Sequence, residues 1–92
     1  MSLKVLLDDV TVNTDGSAVQ VQNFRHKEYG IVQCSIAGSA TVKVQGRTSV
    51  DMGWVDAHEF TSDGAVRVSL FTEMRGKATG VSGGAVRLEL IE

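Results

Sequence analysis

The chain has 92 residues, of which 42% are hydrophobic and 22% are charged, with a formal net charge of −2 at pH 7. A chain this short forms a single domain over residues 1–92, because two domains would each be too small to bury a core. The slight negative charge and the lack of a basic stripe exclude an electrostatic nucleic-acid binder. One cysteine excludes an internal disulfide, and the short N-terminal apolar run fits neither a signal peptide nor a membrane span, so we expect folding in a cytoplasm.

The N-terminal third predicts two strands. Residues 4–10 read as a first strand, although the whole segment 1–15 is also compatible with an extended arm. Asp15-Gly16-Ser17 is a turn signal, since Asp-Gly tolerates the positive φ of hairpin turns. Residues 18–22 then alternate valine with glutamine, which predicts a strand with one buried face. The charged residues 24–28 predict a loop or one helical turn.

The middle of the chain continues the same two-residue period. Residues 29–37 and 40–45 alternate apolar with polar side chains and are separated by Gly38-Ser39, which predicts two strands joined by a turn. Residues 48–60 are less regular.

The C-terminal third predicts three further strands, 66–71, 74–81 and 86–91, with turns at 61–64 and 82–84. No helical period occurs anywhere in the sequence. The chain therefore predicts an all-β protein, an antiparallel β-sandwich of seven or eight short strands. Greek-key, jelly-roll and meander strand orders are all compatible with this spacing.

The alternation also predicts which side chains point into the core. They are Val19, Val21, Val32, Cys34, Ile36, Val42, Val44, Val66, Val68, Leu70, Val86, Leu88 and Leu90.

Reactive or metal-binding groups do not form a pattern. His58 and Asp56 are close enough in sequence to be a weak ligand pair, but zinc takes three or four ligands, and His26 stands in a charged loop. Cys34 lies among core positions, where a thiol is inert. Arg75-Gly76-Lys77-Ala78 lacks the upstream glycine and the following Ser or Thr of a phosphate loop. We therefore predict no catalytic residues, no metal and no cofactor, and a protein that is not an enzyme.

Two surface features remain as binding candidates. Trp54, Tyr29 and Phe60 could form an aromatic platform for a sugar, although a chain with five aromatic residues needs most of them in its core. The second feature is a set of cations on the C-terminal strands, which is either a solvated face that discourages strand pairing or a contact surface for an acidic partner. These cations are Arg67, Arg75, Lys77 and Arg87.

Several segments together resemble the small β-rich structural proteins of tailed bacteriophages. They are a strand that ends in glycine (39–46), a segment with Trp54, an arginine-bearing strand (68–80) and a Gly-Gly hairpin before the last strand (84–86). The resemblance spans residues 17–92. It implies a capsid cement, capsid decoration or tail component, with a fold that is often jelly-roll-like and a place in the virion after synthesis in the host cytoplasm. It implies a homo-oligomer that contacts capsid or tail proteins, with no nucleic acid or membrane partner.

The working hypothesis is a non-enzymatic assembly protein, with a carbohydrate-binding or adhesive module as the alternative. We expect its contacts at the short apolar N-terminal strand, at the cation pair on a strand of small residues, and at two apolar residues that interrupt polar positions. The predicted contact residues are Leu3, Val5, Leu6, Leu7, Phe71, Arg75, Lys77 and Ile91.

Overall fold

The computed structural model describes residues 3–21 and 29–92, so the loop predicted at 24–28 lies outside the described residues. The described part contains nine strands and no helix. The strands are β1 (Leu3–Val10), β2 (Thr14–Asp15), β3 (Val19–Gln20), β4 (Tyr29–Ile36), β5 (Ser39–Arg47), β6 (Val55–Phe60), β7 (Gly64–Ser69), β8 (Glu73–Ser82) and β9 (Val86–Ile91). The all-β prediction is confirmed, and the segment 1–15 contains a first strand that pairs with β9.

The strands form two antiparallel sheets that pack together as a sandwich. Sheet A has the order β1-β9-β4-β7, and sheet B has the order β2-β8-β5-β6, with β3 also paired to β8. If β2 and β3 are counted as one interrupted strand, the first strand pairs with the last, the second with the seventh, the third with the sixth and the fourth with the fifth. This is a long hairpin rolled up on itself, the strand order of a jelly roll.

The core lies between the sheets and is built by the period-two pattern. All thirteen residues predicted as inward are either buried or packed against the buried cluster. The core also contains side chains that the alternation did not predict, namely Leu6, Leu7, Ala40, Phe60, Met74 and Ala78.

Leu6 and Leu7 are successive residues that are both buried, at 4% and 2% exposure. The register of β1 against β9 shifts between Val5 and Leu7, which indicates a β-bulge. A bulge adds a residue to one strand and interrupts its alternation, so two neighbouring side chains can point to the same side.

The small residues of β8 serve the core. Gly76 lies beneath two leucines, and a Cβ atom at this position would come within 2.7 Å of Leu7 Cγ and 2.8 Å of Leu88 Cδ2. Ala78 is 1% exposed on the same side of the strand. The expectation that small residues here let a partner protein approach was therefore wrong, because these positions make room for the opposite sheet.

Candidate protein-contact surface

One line of side chains crosses the outer face of sheet A from edge to edge. The strand registers pair Leu3 with Ile91, Ile91 with Ile31, and Ile31 with Arg67. Leu3 is 56% exposed and Ile31 is 50% exposed, while Ile91 between them is partly buried. Three large aliphatic side chains thus stand next to one another on an outer face, and we call Leu3, Ile91 and Ile31 the apolar row.

Two further exposed side chains extend the apolar row along its strands. Tyr29 lies two residues before Ile31 on β4 and is 50% exposed, and Val5 lies two residues after Leu3 on β1 and is 38% exposed. The guanidinium carbon of Arg67 lies 5.1 Å from the centre of the Tyr29 ring, within the range of a cation–π contact. The end of the face at Tyr29 therefore combines an aromatic side chain with one positive charge, whereas Val5 lies towards the other end, where it pairs with Glu89.

The opposite end of the same face is acidic. Arg87 Nη1 lies 2.7 Å from Asp8 Oδ1 and 3.3 Å from Asp9 Oδ2, and Arg87 Nε donates to Glu89 Oε2 at 3.0 Å. The hydrogen bond to Glu89, followed by that to Asp8, raises the pKa of Arg87 above its ordinary value. One positive charge is thus surrounded by three carboxylates.

The outer face of sheet B is covered by a network of polar side chains that bind one another. Glu73 accepts a hydrogen bond from Gln20 Nε2 at 2.8 Å and one from Arg47 Nε at 2.7 Å. Gln45 accepts from Arg75 Nε at 2.8 Å and donates to Asp56 Oδ1 at 2.8 Å. Glu73 and Gln45 are each only 7% exposed, so the carboxylate of Glu73 and the amide of Gln45 are buried together with their hydrogen-bond partners.

Trp54 also belongs to this face, because two arginines of the network stack on its ring. The guanidinium carbons of Arg47 and Arg75 lie 4.2 and 4.5 Å from the ring centre. A sugar would need an uncovered ring face to stack on, and these contacts compete with it directly. Trp54 therefore serves the stability of sheet B.

The predicted contact residues fall into three groups. Leu3, Val5 and Ile91 belong to or adjoin the apolar row, where they are accessible to another molecule. Leu6 and Leu7 are core residues, so their side chains are not available for contact while the sandwich is folded.

Phe71, Arg75 and Lys77 form the third group. Phe71 packs its ring directly on Gly46, where a Cβ atom would overlap it, and this explains an apolar residue that seemed to interrupt a polar position. Arg75 is bound to Gln45 and Trp54, and Lys77 lies 3.8 Å from Asp15. The structure places all three away from the apolar row.

The three aromatic residues considered as a sugar platform do not come together. Phe60 is 5% exposed in the core, Tyr29 lies on the outer face of sheet A, and Trp54 precedes β6 of sheet B. The three residues therefore do not form a shared aromatic platform.

The reactive groups are also separated from one another. Cys34 is buried, and its desolvation raises the pKa of the thiol to about 11, with a smaller contribution from the charge of Asp63. His58 packs edge-on against Phe60 with ring centres 4.7 Å apart, whereas Asp56 binds Gln45 and Lys43. Within residues 3–21 and 29–92, no three His, Cys, Asp or Glu side chains are arranged to hold a metal ion. His26 lies outside the described residues.

An open groove of about 270 Å³ runs between β1 and residues 14–19 at one side of the sandwich. The charged side chains of its lining are Asp8 and Asp15. Asp8 is bound to Arg87 and Asp15 lies near Lys77, so both charges are already paired within the chain. The groove offers apolar walls and no charged anchor for a ligand.

Tyr29 and Ile31 belong to this surface but were missing from the predicted protein-contact residues, whereas Arg67 was among the cations considered as a contact surface for an acidic partner. A signal for the first two was present in the sequence, because Tyr29 and Ile31 have the same parity as Gln33 and Ser35, which alternation places on the outer face. Two large apolar residues at positions that alternation places on the outer face indicate an exposed apolar patch. The position of Arg67 next to Ile31 depends on strand pairing, which the local sequence does not contain.

Comparisons of the chain with protein-family models, with curated proteins and with solved structures found no match. In the part of the chain that the structure describes, no helix is long and apolar enough to cross a membrane.

Proposed function

We propose that this chain is a non-enzymatic assembly protein whose outer apolar row binds other protein subunits, and that the assembly is the virion of a tailed bacteriophage. In this role it is made in the host cytoplasm and joins the particle as a capsid cement, capsid decoration or tail component. The observation that carries the contact role is the exposure of Leu3 and Ile31 on either side of Ile91 on one sheet face, with Tyr29 next to Ile31.

The energetic argument starts from the cost of leaving these side chains in water. Complete burial of a Leu or Ile side chain contributes about 1.5–3 kcal/mol, so the half-exposed Leu3 and Ile31 each retain roughly half of that. A single contact of this size is weak. In a particle with many copies, several weak contacts act together, and the assembly is stable although each contact is not.

The fold is compatible with this role without deciding it. Jelly rolls occur in viral capsid proteins, in lectins and in cupins, so strand order alone does not assign a function. Two observations favour the assembly role over the carbohydrate-binding alternative. The aromatic residues are dispersed, and Trp54 is already stacked with Arg47 and Arg75. The placement in a phage particle rests on the sequence resemblance over residues 17–92.

The proposal is tested with particles assembled from chains that carry Ile31→Lys, which places a charge in the apolar row. The matched control is Val12→Lys, the same new charge at a side chain that is 66% exposed and lies outside both sheets. Quantitative mass spectrometry of gradient-purified particles should show full incorporation of the control and about a tenfold or greater loss of Ile31→Lys, since a buried unpaired charge is costly. Wild-type chain missing from particles, or binding to a glycan array that Trp54→Ala abolishes, would contradict the proposal.

A further inference from the structure

The outer face of sheet A has a geometric property that goes beyond exposure. Across the strands, the neighbour of Ile31 is Arg67 on one side, and the neighbour of Ile91 is Leu3 on the other. Along the strands, Tyr29 precedes Ile31 and Glu89 precedes Ile91 by two residues each. Because Gln33 pairs with Glu89, the residues Glu89 and Tyr29 lie on opposite sides of the apolar row.

The two ends of this face carry opposite charges. Arg67 contacts the Tyr29 ring and forms no ion pair with any of the described residues. At the other end, the positive charge of Arg87 is set against the negative charges of Asp8, Asp9 and Glu89, which leaves two negative charges. A molecule with the same charge arrangement, turned over, would be complementary to this face.

We propose that the partner at this face is a second copy of the chain, related by a two-fold axis that lies in the plane of the interface. This inference rests on the proposed function and names one of the partners it requires. In the dimer, sheet A of one copy crosses sheet A of the second copy at nearly a right angle, which is one of the two common ways for sheets to pack face to face. The axis passes between Ile31 and Ile91, so these two side chains of one copy pack against the same two side chains of the second copy.

In a right-angle crossing, the two-fold axis runs diagonally to the strands of both copies. In one of the two diagonal directions, the neighbour of Ile31 across the strands comes close to the neighbour of Ile91 along the strand in the second copy. Arg67 therefore meets Glu89 of the second copy, and Tyr29 meets Leu3 of the second copy. Each of these contacts occurs twice, so Arg67, Glu89, Tyr29 and Leu3 each find a partner of suitable chemistry. This reciprocity favours a second copy over an unrelated protein.

The size of the face predicts a weak dimer. Four strands at about 4.8 Å spacing, each about six residues long, give a face of roughly 19 by 20 Å. The area of this face, roughly 380 Å², is smaller than the ~800 Å² of surface that each partner buries in a typical stable interface. We expect a dissociation constant of roughly 10–1,000 µM in free solution, and dimers that persist where copies are held close together.

The test is sedimentation equilibrium of the full chain between about 10 µM and 2 mM, a range chosen to span the expected dissociation constant. Arg67→Glu and Glu89→Arg should each raise the dissociation constant by about tenfold or more, because each sets like charges against one another twice. An equimolar mixture of these two variants should recover dimers, since every charged contact then joins opposite signs. The double variant Arg67→Glu/Glu89→Arg should recover them within one chain.

The matched control is Lys77→Glu, the same charge change on sheet B, which should leave the dissociation constant unchanged. Circular dichroism and a melting curve establish that each variant is folded, and Ile31→Lys, which removes the apolar contact, tests the same face without changing Arg67 or Glu89. A wild-type chain that stays monomeric over the whole range overturns the proposal. So does a dimer that Arg67→Glu and Ile31→Lys leave intact.

Particle incorporation separates this inference from the proposed function. If wild-type chain is monomeric in solution while Ile31→Lys is lost from particles, the row binds a different protein, which overturns the dimer and leaves the proposed function standing. If the charge variants weaken dimers as expected while wild-type chain is missing from particles, the dimer stands and the proposed function fails.

Discussion

The outer faces of the two sheets both consist of every second side chain along their strands. They differ in whether these side chains bind partners within the same chain. On sheet B, Glu73, Gln45 and the arginines bind one another and cover Trp54, so the face is complete within one chain. On sheet A, Leu3 and Ile31 remain half or more exposed. Exposure alone is therefore a poor guide to a contact surface. The informative property is whether the exposed side chains already have partners within the chain.

The comparison also separates two kinds of residue that look alike in the sequence. Arg75 and Arg67 are both cations on strands of the C-terminal third. Arg75 is used inside sheet B, where it donates to Gln45 and stacks on Trp54. Arg67 has its aromatic contact at the border of the apolar row and leaves its charge free for a partner carboxylate. The predictions below separate stability, which depends on the core and sheet B, from association, which depends on sheet A.

The largest expected effect comes from the core that both faces share. Leu88 is fully buried at 0% exposure, so Leu88→Ala should lower the free energy of unfolding by about 2–5 kcal/mol. For a domain of this length that corresponds to a fall in melting temperature of roughly 10 °C or more. Calorimetry or thermal circular dichroism measures it. A variant that melts within a degree or two of wild type would show that β9 does not face the core as described.

Deletion of residues 1–10 should also destabilise the core. The sequence was also compatible with an extended arm over residues 1–15, but β1 contributes Leu6 and Leu7 to the core and pairs along β9. We now expect the deletion to abolish cooperative unfolding, so it cannot separate association from folding. Leu3→Lys is the better probe of β1, because Leu3 is 56% exposed.

The second effect concerns the polar network of sheet B. Glu73→Ala removes the acceptor for both Gln20 and Arg47, and it should cost about 1–3 kcal/mol because the partly buried Arg47 loses its charge-assisted hydrogen bond. Chemical denaturation measures the loss. The control is Asp15→Ala, which removes an exposed carboxylate 3.8 Å from Lys77 and should change stability by less than about 0.5 kcal/mol. Equal effects of the two substitutions would mean that the network on sheet B is no more stabilising than a surface ion pair.

The fold was predictable from the sequence because alternation is a local property. Each of Val42, Val44 and Leu88 has polar neighbours on either side, and sheet pairing only had to bring their faces together. Leu6 and Leu7 were misplaced because the bulge in β1 is a local departure from the two-residue period.

The candidate surface was only partly predictable, because it depends on long-range pairing. Leu3, Ile31 and Ile91 come from three distant segments and meet only through the order β1-β9-β4. In the same way, the stacking of Arg47 and Arg75 on Trp54 joins residues of β5, β8 and the segment before β6. No local pattern distinguishes a cation that stacks on a ring from one that is free to bind a partner.

The third effect is small for stability and tests the other side of the comparison. Ile31→Lys should change the free energy of unfolding by less than about 0.5 kcal/mol, since the side chain is half exposed and outside the buried cluster. The same denaturation curves used for Glu73→Ala provide the measurement. A loss of more than about 1 kcal/mol would show that Ile31 is a structural residue, as such losses at surface positions need a named structural cause.

The smallest effect is an acid sensitivity at the border of sheet B. The hydrogen bond from Gln45, followed by the contact with Lys43, lowers the pKa of Asp56 below its ordinary value of 3.8. A carboxyl whose folded pKa is depressed contributes stability that is present above its unfolded pKa and is lost as the pH falls towards the folded pKa. The contribution of Asp56 should therefore be constant above about pH 5 and decline below about pH 4.

NMR titration of the Asp56 carboxyl carbon measures this pKa directly. Gln45→Met, which keeps the volume of the side chain and removes the donor, should move the pKa of Asp56 back towards 3.8. Lys43→Met, the control for the charge, removes both a hydrogen bond and a positive charge and should also move the pKa of Asp56 towards 3.8. A larger response to Lys43→Met than to Gln45→Met would mean that charge, and not the hydrogen-bonded network, holds Asp56 in place on sheet B.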